Sequence, residues 1–268
     1  MSARRGVLLA ALAAVPIACL SAVAGCPSGG PCAWIPNPGT FWWATAYVPP
    51  LLIILASSLA WTVRFGVVAS RTKRELGRLA SVSVSPKLAQ AANAVGLDRI
   101  ECVGGGPAVA FCAGFVLPTV YISEAAVAGL SDSELLAVLH HEADHARRHE
   151  PLRRAARTAA AEVLAFLPIV GWWSERQIAH SELSADVAAE RMVGRPALAG
   201  ALLVMTAPAI QLAAFVGHAE LRARRLLGMT VDEPKPTRAM WAATLVYSWL
   251  ALSLAGCLFE VAVTLHPR

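Results

Sequence analysis

The sequence predicts a mainly α-helical membrane protein with a small β-sheet, an α+β body set between apolar segments. Three observations predict it. Apolar residues make up 56% of the 268 residues and charged residues only 15%, with a mean hydropathy of +0.55. These values exclude a disordered chain, a collagen-like chain and an ordinary nucleic-acid-binding domain. No charged residue lies between Arg5 and Arg64. Most polar residues fall instead between Arg64 and Glu190, where strand and helix patterns are mixed.

Two apolar runs, Gly6–Gly25 and Phe41–Val63, are each long enough to cross a bilayer as a helix. A Gly- and Pro-rich loop, Cys26–Thr40, separates them. Trp42, Trp43 and Trp61 lie near the run ends, where amphipathic rings favour the headgroup zone, and Pro49 and Pro50 are expected to kink the second helix. Arg4 and Arg5 precede the first run. Arg64, Arg71, Lys73, Arg74 and Arg78 follow the second. The positive-inside rule puts both basic flanks in the cytosol, so the net charge of +5 reads as membrane orientation and no nucleic-acid partner is expected. Val23-Ala24-Gly25-Cys26 also matches a lipoprotein cleavage box, which leaves Met1–Gly25 open as either a first span or a signal peptide. Both readings leave Cys26 outside and Arg64 inside.

Six cysteines in a chain of this length do not make a disulfide scaffold. Cys26 and Cys32 share the outer loop and can pair there. A third span is expected over Ala239–Phe259. Pro196–Ala219 is also uncharged, but crossing would carry Arg222, Arg224, Arg225, Lys235 and Arg238 outside. It is expected to pack on the polar body or lie at the membrane surface. The organisation that follows is two spans and a loop in residues 1–65, a cytosolic domain in 66–230 and a C-terminal span in 239–260.

Within the polar body, Ser85–Val95 has the pattern of an amphipathic helix ended by Gly96. Ile100–Val103, Ala108–Ala113 and Thr119–Ser123 read as short strands, with Gly104-Gly105-Gly106-Pro107 and Leu117-Pro118 as turns. The triple glycine lacks the Gly-Lys-Ser/Thr of a phosphate loop. Ser131-Asp132-Ser133-Glu134 is a capping box that starts a helix running to about His149. The early turns of that helix are apolar (Leu135, Leu136, Val138, Leu139), which predicts burial.

On this helix lies His141-Glu142-Ala143-Asp144-His145, an HExxH motif. The i, i+4 spacing puts both imidazoles on one face, where they can hold one Zn²⁺, and Glu142 is placed to act as general base toward water. A catalytic zinc needs a third protein ligand and an open position. Glu182-Leu183-Ser184-Ala185-Asp186 offers Glu182 as that ligand. Asp186, one turn on, can accept the free ring N–H of a ligand histidine. His140 and His180 point off the metal face, a third-histidine role for His149 is disfavoured, and Asp144 is expected to face solvent or a nearby Arg.

HExxH followed by ExxAD beside apolar spans resembles the membrane-embedded gluzincin peptidases, including the BlaR/MecR-type transducer peptidases and the HtpX and CAAX prenyl protease group. Ala110-Phe111-Cys112-Ala113-Gly114 with Val120-Tyr121-Ile122 is similar to the hairpin that precedes HExxH in the BlaR/MecR type, and so is the Arg147-Arg148-His149-Glu150-Pro151 exit. The resemblance covers roughly Leu79 to Leu227. It implies a zincin-like catalytic domain with zinc ligands His141, His145 and Glu182, catalytic Glu142 and a supporting Asp186. It also implies a protein or peptide substrate lying along an edge strand at Ala108, Val109, Ala110 and Phe111, and, by the same resemblance, a cytosolic repressor as that substrate. His218-Ala219-Glu220-Leu221-Arg222-Ala223-Arg224 resembles the H-P-x4-R element of the HtpX and CAAX group, with Ala219 in place of Pro. It implies that His218 donates to an oxyanion and that Arg224 orients a carboxylate or the substrate.

His141 and Glu182 must reach one ion, so they lie on one side of the membrane. The uncharged run Val163–Ser174 between them would rise only about 18 Å as a helix, short of the bilayer core. It can dip into the lipid, over roughly 159–174, without crossing. The expectation is a multi-pass zinc endopeptidase facing the cytosol. The alternative is a membrane signalling or scaffold protein with a zinc-stabilised domain, which would have no use for Glu142.

Overall fold

The computed structural model describes residues 38–206, 213–229 and 235–265, with the side chains of 38–46, 206, 213–219, 257 and 260–265 outside that description. The Gly6–Gly25 run and the Cys26/Cys32 pair lie outside the described residues. In chain order the elements are α1 (Pro38–Leu76), β1 (Ser81–Val82), α2 (Pro86–Val95), β2 (Ile100–Val103), β3 (Ala110–Ala113), β4 (Thr119–Ser123), α3 (Glu124–Gly129), α4 (Asp132–Arg147), α5 (Glu150–Val163), α6 (Pro168–Val193), α7 (Arg195–Thr206), α8 (Ala213–Leu226) and α9 (Arg238–Leu265).

The chain divides into two compact units. One takes in the described parts of Met1–Val63, Val163–Gly171 and Pro236–Arg268. It holds the apolar parts of α1 and α9. The segments Tyr47–Leu76 and Arg238–Gly256 are long and apolar enough to cross a membrane, with hydropathies of 2.0 and 1.4. Pro49 and Pro50 lie inside α1. Leu51, Ile54, Leu55 and Leu59 on α1, and Leu245, Trp249 and Leu252 on α9, are exposed. In the same unit the Ile169 N–H donates to Thr244 Oγ1 at 3.4 Å.

The second unit, Arg64–Glu162 with Trp172–Lys235, is built on a four-stranded sheet of order β1-β2-β4-β3. β2 and β4 run parallel, with Ile100 opposite Val120. β1 and β3 are antiparallel additions at the two edges. Pleat alternation points Cys102, Val120 and Ile122 to one face, where they join Leu88 of α2, Leu135 and Leu139 of α4, and Leu198 and Ala201 of α7 in one core.

Side-chain caps set the helix starts. Ser85 Oγ accepts from Leu88 N–H at 3.3 Å ahead of α2, which closes on Gly96 in the left-handed region (φ 72). Ser123 Oγ accepts from Ala126 N–H at 3.1 Å to start α3. The Ser131/Glu134 capping box opens α4.

Three features differ from expectation. The Ser81-Val82 strand was not foreseen, although the Val82–Ser85 alternation lies beside it. α4 ends at Arg147 rather than about His149, because His149 adopts φ 51 and leaves the helix. The third strand begins at Ala110 rather than Ala108, because Val109 N–H bonds the Ser123 hydroxyl at 3.0 Å instead of continuing the ladder. Of Pro196–Ala219, the α7 part packs on the body through Leu198 and Ala201, and residues 207–212 lie outside the description.

Candidate metal centre

The site lies wholly within the second unit. α4 is held under the sheet by its apolar turns, which buries His141, Glu142, Asp144 and His145 as well. The i, i+4 spacing sets the two imidazoles edge to face, with ring centroids 4.7 Å apart at an interplanar angle of 81°. Their Nε2 atoms face each other at 3.1 Å. α6 brings Glu182 opposite, with Oε2 3.5 Å from His141 Nε2 and Oε1 3.8 Å from His145 Nε2. The same i, i+4 repeat on α6 places Asp186 Oδ1 2.9 Å from His141 Nδ1.

Two guanidinium groups complete the cluster. Arg154 of α5 donates through Nη2 to Glu182 Oε1 at 2.6 Å. Arg222 of α8 donates through Nε and Nη2 to the two oxygens of Asp186 at 2.8 and 2.7 Å, and its Nη1 lies 3.7 Å from Glu182 Oε2. Buried carboxylates require such partners, because an isolated charge in this setting is costly. The left-handed turn at His149 redirects the chain into α5 and so returns Arg154 to the site. Below it Arg157 pairs with the buried Glu150 of the same helix.

His141, His145 and Glu182 can hold a metal ion: one ligand atom from each lies within 4.8 Å of the others. The donor chemistry fits zinc. Two imidazole nitrogens and one carboxylate are the set found at catalytic zinc with one position left open, and tetrahedral ligands at normal zinc distances stand about 3.3 Å apart. The edges here are 3.1, 3.5 and 3.8 Å.

The charges of the cluster also act strongly on one another. Burial and the Arg222 charge oppose a proton on His141, yet Asp186, Glu182 and Glu142 outweigh them and lift it to about 9. Burial and the His141 charge push His145 down to about 4. Burial would raise the Glu182 carboxyl, but His141, His145 and Arg222 hold it well below the usual carboxylate range. Glu142 moves upward, chiefly through burial and with a contribution from the Glu182 charge. A carboxylate made more basic in this way is suited to general-base work.

Among the described side chains, the other histidines stand apart. His149 and His180 are exposed, and His140 is half-buried. Asp144 is buried and pairs with Arg148 at 2.9 Å. His218 falls on α8, and its side chain lies outside the described residues. Arg224 is exposed and pairs with Glu220 on its own helix at 2.7 Å. The arginine that reaches the carboxylates is Arg222, because the 3.6-residue period sets it half a turn away from Arg224. Sequence reasoning missed Arg222 and Arg154. Arg222 stood inside the motif already singled out, whereas nothing in the Leu152-Arg153-Arg154 stretch distinguishes Arg154.

β3 is the edge strand beside β4, and no strand pairs with its other side among the described residues. Ala110 and Phe111 lie on it, with Ala108 and Val109 just before. Phe111 stacks on Tyr121 across the pair, ring centroids 5.3 Å apart.

No curated protein matches the chain. A family model described as peptidase family M48 matches residues 73–225, over half of the chain and all of the cluster above. M48 enzymes are metallopeptidases and generally depend on zinc. With HExxH and a facing glutamate gathered at one point inside the matched region, the chain belongs to peptidase family M48.

Proposed function

We propose that this protein is a membrane-embedded, zinc-dependent endopeptidase that cuts a protein substrate at the cytosolic face of the cell membrane. The observation that carries the reading is the convergence of His141, His145 and Glu182 beside a buried Glu142 that is not among those ligands. A purely structural metal site has no use for such a carboxylate.

Zinc bound by His141, His145 and Glu182 would supply a Lewis acid that polarises the peptide carbonyl and acidifies water. Glu142 takes the proton of the attacking water and passes it to the leaving amine nitrogen. Asp186 Oδ1, 2.9 Å from His141 Nδ1, is placed to receive its N–H when Nε2 is turned to the metal. Arg154 and Arg222 fix the Glu182 carboxylate. His218 is assigned as donor to the developing oxyanion, and Arg222 takes the orienting role expected of Arg224. Substrate backbone adds to the free edge of β3.

Membrane insertion is supported by the length and apolarity of Tyr47–Leu76 and Arg238–Gly256 and by their exposed apolar side chains. A cytosolic site is supported by the basic cluster Arg64, Arg71, Lys73, Arg74 and Arg78. Val163–Gly171 belongs to the same compact unit as the apolar parts of α1 and α9, as a segment dipping into lipid should. The β3–β4 hairpin ahead of α4 supports placement near the BlaR/MecR type, and with it a cytosolic repressor as substrate in regulated proteolysis.

The test is Glu142→Gln in the native cell, with mass spectrometry of cut sites against wild type. Cleavage should fall by about 10²–10⁴-fold while zinc content is kept. Undiminished cleavage by the zinc-loaded variant would overturn the reading.

A further inference from the structure

We infer that the β3–β4 hairpin tip, Gly114–Pro118, is a wedge that inserts into the bilayer, so that the edge strand opens at the lipid surface. This rests on the membrane reading above.

The tip is made of the wrong residues for water. Turns in solvent favour Gly, Pro, Asn, Asp and Ser, yet between Gly114 and Pro118 this one reads Phe-Val-Leu, and no charged residue occurs between Glu101 and Glu124. Val116 is 82% exposed and Leu117 57%. The tip is also tight. Gly114 has φ +102, and a Cβ there would meet the Leu117 carbonyl oxygen at 2.7 Å. Both apolar side chains stay exposed on this tight turn.

Its position names the occupant. Phe115 packs on Phe65 of α1 with ring centroids 5.8 Å apart. Phe65 lies two residues beyond Val63, where the uncharged run of α1 ends. Arg64 between them is paired with Glu162, the last charged residue before the uncharged Val163–Ser174 run. One ion pair and one aromatic contact thus join three places where the chain passes from polar to apolar sequence, which is the level of a membrane interface. Acyl chains are the medium available at that level to cover Val116 and Leu117. β3 leads straight into the tip, and Ala113 is at most about 10 Å of chain from Val116. The substrate segment laid on β3 is then one that lies at the membrane surface.

The test uses the full chain in lipid nanodiscs, with nitroxides on Val116→Cys, Leu117→Cys, Leu55→Cys and Asp98→Cys in a zinc-binding background whose native cysteines are replaced. Collision rates with oxygen and with a water-soluble nickel chelate report depth. Val116 and Leu117 should follow Leu55, with oxygen favoured several-fold over nickel, and Asp98 should show the reverse. If Leu55 is protected while Val116 and Leu117 meet nickel as freely as Asp98, the wedge is wrong and the membrane reading stands. If Leu55 also meets nickel, both fall.

Discussion

Arg222 grips Asp186 through two nitrogens, at 2.8 and 2.7 Å, while the same carboxylate lies 2.9 Å from His141 Nδ1. One fully buried aspartate thereby ties α8 to the HExxH helix and sets the orientation of a metal-facing imidazole. Arg222→Ala removes the two-nitrogen partner of that carboxylate, leaves it facing His141 alone, and should cost about 3 kcal/mol of stability. Chemical denaturation of the zinc-free protein measures it. The Asp186→Ala/Arg222→Ala pair should recover part of the loss, because the carboxylate is then removed together with its guanidinium partner. Asp186→Ala alone should lower zinc affinity by about 10–100-fold in competition with a chelator.

Arg154 acts on the opposite side of Glu182. Arg154→Ala frees that carboxylate to rotate, and zinc affinity should drop by about tenfold. Arg154→Lys keeps the charge and should restore part of it. Equal affinity in wild type and Arg154→Ala would remove Arg154 from the site's support.

Zinc binding should release a proton. His141 is lifted to about 9 in the zinc-free protein, so it is charged at pH 7 and the metal must displace that proton; His145, pushed down to about 4, has none to give. Affinity should therefore rise by about tenfold per pH unit as pH climbs toward 9, then level. Calorimetry in buffers of different ionisation enthalpy should count about one proton per zinc at pH 7. In Asp186→Asn the count should fall, because the group facing Nδ1 no longer carries charge.

The start of α4 is separable from its chemistry. Ser131 accepts from Glu134 N–H, and the Glu134 carboxylate accepts from Ser131 N–H at 2.8 Å. Ser131→Ala should cost about 1 kcal/mol and leave zinc affinity unchanged. A matched loss of affinity would show that the helix terminus also positions the metal ligands.

Local periodicity was legible without coordinates. The spacing His141/His145 and Glu182/Asp186 follows from the helical repeat, which fixes one face per helix whatever the helix packs against. The same holds for the cap at Ser131, the stop at Gly96 and the apolar runs of α1 and α9. A repeat cannot say which faces meet. Only the tertiary structure decided that α4 and α6 oppose each other, that Arg222 rather than Arg224 closes on Asp186, and that Arg154 returns to Glu182 after the turn at His149. It also made β3 an edge, because strand order depends on long-range pairing and not on the alternation within each strand. These contacts join residues tens of positions apart. They are selected by the cost of leaving buried charges without partners, which is a property of the packed chain and not of any stretch of it.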